Sequence, residues 1–93
     1  MNFYDIEAAE ELKRSMAAET GGRCSICGKA CALQVAHRIP KFKRYLKEYG
    51  PEIIHHRLNL VATCKNCNSS VLVNPATLPG QALIAEIRQA ISC

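Results

Sequence analysis

Two pairs of cysteines repeat one spacing, Cys24-Ser-Ile-Cys27 and Cys64-Lys-Asn-Cys67. Thiols at this spacing on a tight turn can both reach one ion, and zinc in structural sites takes four such ligands in a tetrahedron. The pattern therefore predicts one structural Zn2+ held by Cys24, Cys27, Cys64 and Cys67. The competing readings are a pair of disulfides or four free thiols. Cys31 and Cys93 have no partner at this spacing and read as free thiols. A four-cysteine site is coordinatively closed, so any reacting group has to lie elsewhere. Polar residues suited to chemistry fall between and just after the pairs: His37, His55, His56, Asn59 and Asn68.

These residues need elements to position them. Asp5 to Thr20 reads as a helix, with Ile6, Ala9, Leu12 and Met16 on one side and Gly21-Gly22 as its stop. Gly28 lets the chain turn back after the first cysteine pair with positive φ at little cost. Leu33 to Ile39 alternates, placing Leu33, Val35, His37 and Ile39 on one strand face and Gln34, Ala36 and Arg38 on the other. Pro40 ends that strand. Lys41 to Tyr49 reads as a short basic helix closed by Gly50, and Leu60 to Thr63 as a second strand. Lys65 to about Val73 reads as helical, with Asn74-Pro75 as the stop. Thr77 is placed to cap a last helix, whose stripe of Leu83, Ile84, Ile87 and Ile91 belongs in a core.

Ninety-three residues with 48% hydrophobic and 22% charged side chains predict one folded domain, 1–93. Aromatics are only 5% and tryptophan is absent, so a core of this size gains from a metal staple. No run approaches the roughly 20 apolar residues of a membrane span. The start "MNFYDIEAAEELKRSM" is acidic and amphipathic rather than a signal peptide. The expectation is a soluble, cytoplasmic protein with no membrane partner, where paired cysteines serve as metal ligands rather than disulfides. The net charge of +4 is mild. Its distribution says more, because Arg38, Lys41, Lys43, Arg44 and Lys47 crowd one segment with only Glu48 to answer them. That run reads either as a nucleic-acid contact or as a solvated face.

In chain order these features are a Cys pair, a strand ending "VAHRIP", the segment "HHRLNLVAT", and then "CKNCN". The run resembles the HNH nuclease family, whose ββα-metal motif has a histidine ending its first strand, an asparagine before its second, and a further His or Asn after the last cysteine. The matching positions are His37, Asn59 and Asn68, an H-N-N form. The resemblance covers Arg23 to about Ser70, within a motif core of about 23–73. It implies an α+β, zinc-stapled ββα-metal domain with flanking N- and C-terminal helices. In that arrangement the two strands pair antiparallel and the helix starting near Lys65 packs across them. It also implies an endonuclease that hydrolyses DNA phosphodiester bonds. His37 would be the general base, Asn59 would hydrogen-bond and orient it, and Asn68 would help bind a Mg2+ or Mn2+ ion. Arg38, Lys41, Lys43, Arg44 and Lys47 would lie along DNA phosphates. His55 has no role in the family pattern, and His56 is weighed as a phosphate or metal contact against a solvated loop.

Four positions depart from the family. Ala36 stands where many members carry a metal-binding aspartate, Leu72 where some carry a further histidine, and Ser69-Ser70 where basic residues are common. The alternative reading is therefore a catalytically lapsed, zinc-stapled module that binds nucleic acid or protein.

Overall fold

The computed structural model describes residues 6–92. The chain runs through α1 (Ile6–Thr20), β1 (Gln34–His37), α2 (Lys43–Tyr49) and α3 (Pro51–Ile54). A 3-10 turn at Arg57–Asn59 leads into β2 (Leu60–Thr63), a 3-10 helix spans Lys65–Val71, and α4 (Leu78–Ser92) follows. The result is a mixed α+β chain whose two strands form one antiparallel sheet. No helix among the described residues is long and apolar enough to cross a membrane. The expected helix start at Asp5, the inward sides of Ile6 and Ala9, and the free thiol at Cys93 lie outside the described residues.

By its contacts the chain falls into two units. The first takes in the described residues up to Ala36 together with Val61–Ser70. Its α1 ends as expected: the N–H groups of Gly21 and Gly22 donate to the carbonyls of Ala18 and Ala17, with both glycines at positive φ. Met16, Leu33, Ala36 and Ala62 are the buried apolar side chains here, besides Cys24. Strict alternation from Leu33 to Ile39 does not hold. Ala36, expected opposite the apolar face, is buried at 1% exposure, while Val35 is only half-buried. The ordered strand is four residues long, so the residues flanking it are free of a period of two. After β2 the chain is helical as expected. Lys65–Val71 forms 3-10 rather than α-helix, because Asn and Ser favour local side-chain bonds over the α ladder. Ser70 Oγ donates to the Cys67 carbonyl at 2.6 Å, and Cys67 N–H to the Cys64 carbonyl at 3.1 Å.

The second unit comprises His37–Leu60 and the described residues from Val71 onward. Its core is Ile39, Ile53, Ile54, Leu83, Ile84 and Ile87, with Tyr45, Leu46 and Tyr49 packed around it. α4 buries its stripe as the spacing requires, except that Ile91 is 46% exposed near the helix end. Thr77 does cap that helix, its Oγ1 accepting from Gly80 N–H at 3.3 Å. Between α2 and α3 the chain breaks at Gly50 (φ 89°), with Pro51 opening α3. Proline suits that first helical position because its missing N–H would have had no partner there. This break turns the short helix Pro51–Ile54 inward, burying Ile53 and Ile54, and delivers His55 directly after them.

Candidate metal centre and histidine pair

The first cysteine pair lies on a reverse turn. Gly28, at φ 75°, donates its N–H to the Cys24 carbonyl at 3.0 Å, and Cys24 N–H donates to the Lys29 carbonyl at 3.0 Å. The Ile26 and Cys27 N–H groups point at Cys24 Sγ, at 3.4 and 3.5 Å. These donors favour the thiolate. Led by the Cys27 N–H, they hold the Cys24 thiol down to about 6. Ser25 N–H donates to the Ala62 carbonyl at 3.0 Å, tying this turn to β2 and so to the second pair just beyond it.

The four sulfurs lie within 4.8 Å of one another, and Cys27 Sγ and Cys64 Sγ are 3.8 Å apart. A tetrahedron of thiolates about 2.3 Å from zinc has sulfur–sulfur edges of about 3.8 Å. All four thiols are free rather than paired in disulfides. The cluster could hold a metal ion such as zinc. Without a cation four thiolates repel. The proton shared with Cys64, burial and the neighbouring sulfurs push the Cys67 thiol up to about 12, which a bound metal's charge would reverse. Cys31, half-buried, lies close enough to the cluster that its own thiol is pushed up, first by burial and then by the charge of Cys64.

The second unit holds a different constellation. His37 Nε2 lies 3.0 Å from His55 Nδ1, and the two rings meet edge to face at 78°. Burial, then the charge of His55 and that of Lys41, push His37 down to about 4. Burial and Lys41 also lower His55. Both imidazoles are therefore neutral at pH 7, in a locally positive environment. His56 is used otherwise: its Nδ1 accepts from Leu58 N–H at 3.1 Å and caps the 3-10 turn.

Asn59 is fully buried, and its amide does not orient the His37 ring as the family pattern implies. Oδ1 accepts from Ile39 N–H at 2.8 Å, while Nδ2 donates to the carbonyls of Ile39 (3.0 Å) and Ile54 (2.7 Å). Its own carbonyl accepts from Arg38 N–H at 2.8 Å. Asn59 thus clamps the backbone two residues past His37 to the residue just before His55. It holds the two segments that carry the histidines, and its amide bonds to backbone groups rather than to the rings. His55 is the residue to which sequence reasoning assigned no role. The doublet His55-His56 ahead of Asn59 was its only signal, and nothing in that doublet shows which ring turns inward.

Asn68 belongs to the first unit, on the 3-10 helix, where its Nδ2 donates to Gln34 Oε1 at 3.0 Å. Lys41, Lys43, Arg44 and Lys47 are exposed and Arg38 is half-buried, all in the second unit. No family model matches this chain, nor does any curated protein or solved structure.

Proposed function

We propose that this protein is a metal-dependent endonuclease of the HNH kind that hydrolyses DNA phosphodiester bonds, with His37 as general base and a structural zinc on Cys24, Cys27, Cys64 and Cys67. The observation that supports it is the pairing of His37 with His55 beside Lys41. In the tautomer that makes His37 a base, its Nε2–H donates to His55 Nδ1 and its Nδ1 carries the lone pair. A water then attacks phosphorus as His37 Nδ1 takes its proton. The bond from phosphorus to the leaving sugar oxygen breaks, and that oxygen is protonated from solvent. His55 accepts that hydrogen bond and so holds the His37 ring in one tautomer. Lys41 contributes positive charge that favours a bound phosphate.

A divalent ion, when bound, would neutralise charge on the phosphate. The family resemblance assigns its binding to Asn68, whose Oδ1 is a hard oxygen of the type that suits magnesium with several retained waters. Asn59 is a positioning residue, and the basic run from Arg38 to Lys47 supplies backbone contacts to DNA.

The second reading, a zinc-stapled binding module without chemistry, is favoured by Ala36, a buried methyl where many family members carry a carboxylate. A plasmid-nicking assay with magnesium or manganese separates the two. Supercoiled plasmid should be nicked by the protein and left intact by His37→Ala. Intact plasmid with every divalent ion tried would leave the binding module standing.

A further inference from the structure

Phe42 is out of place for a residue chosen to stabilise the fold. It occupies the N-cap of α2, where its side chain makes no capping hydrogen bond, although Ser, Thr, Asp or Asn there would stabilise the helix by roughly 1 kcal/mol. Nor is it recovered by burial, since Phe42 is 55% exposed. Its ring instead stacks on Tyr45, with centroids 5.7 Å apart and planes inclined by 22°. Tyr45 is half-buried against the second unit's core and so anchors the stack. The Arg44 guanidinium covers the same pair, 4.7 Å from the Tyr45 centroid and 5.8 Å from that of Phe42. Its Nη2 donates to Tyr45 Oη at 3.0 Å. Lys41, Lys43 and Lys47 are exposed on the same short segment.

We infer that Phe42, Tyr45 and Arg44 form a stacking platform for unpaired bases of single-stranded DNA, with Lys41, Lys43 and Lys47 along its phosphates. Planar side chains interleaved with cations are what a single strand requires, because every base has a π-face and every linkage a negative charge. Duplex DNA offers neither face freely, since its bases already stack on one another. An apolar protein partner would gain little from four cations around one exposed ring. The inference deepens the nuclease reading by naming single-stranded or locally opened DNA as its substrate, and rests on that reading only for what is cut.

The test is fluorescence anisotropy with a labelled oligo-dT strand and with a duplex of equal length, using the full zinc-loaded chain without added divalent cation. The single strand should bind more tightly than the duplex. Phe42→Ala should weaken single-strand binding roughly 5- to 150-fold, the value of one stacked base, and leave duplex binding unchanged. Phe42→Trp should retain or improve it. Unchanged secondary structure and zinc content will show that the variants fold. Duplex preference, or equal loss on both substrates, would overturn the platform. Plasmid nicking that survives such a result keeps the nuclease reading, whereas selective single-strand binding with no nicking rejects the nuclease and keeps the platform.

Discussion

His37 Nε2 and His55 Nδ1 sit 3.0 Å apart although eighteen positions separate them in sequence. Two imidazoles at that distance cannot both be protonated without repulsion, and burial adds to the effect. His37 accordingly stays neutral down to about 4, below its ordinary 6.5.

The first prediction is a pH window. Between about 6.5 and 4 the unfolded chain binds a proton at His37 that the folded chain refuses. This contribution to stability is complete above 6.5 and is lost as pH falls toward 4. His37→Gln should flatten urea-unfolding stability across that window relative to the parent. In an NMR titration, Lys41→Ala should raise the midpoints of both His37 and His55, because the Lys41 charge lowers both. Unmoved midpoints would show that Lys41 does not contribute and that burial and the neighbouring imidazole set them.

Asn59 should be intolerant of change. Asn59→Ala leaves the Ile39 N–H and the carbonyls of Ile39 and Ile54 without their partner in a buried site. At roughly 1–3 kcal/mol for each unsatisfied group, a loss of about 3 kcal/mol or more is expected from urea unfolding. Asn59→Asp should not rescue it, since a carboxylate accepts one of these bonds and can donate none when ionised.

Metal removal should unfold the first unit. Zinc sites of small domains carry apparent binding energies of roughly 10–16 kcal/mol at neutral pH, above the stability of most domains. Elemental analysis should give one zinc per chain, and chelation or Cys64→Ser should abolish the protection of amides around Met16, Leu33 and Ala62. Protein that retains that protection with no metal present would count against the staple.

Restoring the family's carboxylate should fail. Ala36 is 1% exposed, so Ala36→Asp buries a charge among apolar neighbours rather than offering it to a metal. The expected result is a protein destabilised by several kcal/mol that nicks no better at low magnesium than its parent. Gain of nicking with unchanged stability would show that the side chain reaches solvent.

Thr63 offers a change in the other direction. It is fully buried, and its Oγ1 has no hydrogen-bond partner among the described residues. Thr63→Val keeps the shape and the β-branch suited to a strand while removing that unsatisfied oxygen. Stability should rise by about 1 kcal/mol, read as a higher midpoint in urea. A fall would reveal a role for the hydroxyl in holding Cys64 next to it.

Much of this was legible in sequence wherever the determinants are local. The cysteine spacing, the glycine stop of α1, the stripe of α4 and its Thr77 cap each depend on residues a few positions apart. The His37–His55 contact was not legible. It depends on the break at Gly50-Pro51, which decides where α3 ends and which of two adjacent histidines faces inward. The three bonds of Asn59 escaped for a related reason: an asparagine before a strand can cap, orient or clamp, and only the tertiary placement of Ile39 and Ile54 selects the last. The helix after Cys64 is legible as helical but not in its type, because apolar and polar spacing barely distinguish seven residues of 3-10 from two turns of α. Ala36 was misplaced because a strand of four residues is too short to impose its alternation on the chain around it.

The four cysteines that could hold a metal ion come from segments far apart, with Cys27 and Cys64 separated by 37 positions. A chain emerging from the ribosome therefore presents the turn at Cys24–Cys27 long before its complement exists. Half a site can capture an ion weakly, but the tetrahedron closes only after Cys67 is made. Closing a loop of that length costs about 3 kcal/mol plus a constant, a penalty set against the energy of two further metal–sulfur bonds. The segment carrying His37, His55 and Asn59 lies inside this loop. Its residues are synthesised between the two halves of the clasp, so a captured ion would add to the β1–β2 pairing and the Ser25–Ala62 hydrogen bond in holding the flanking segments together.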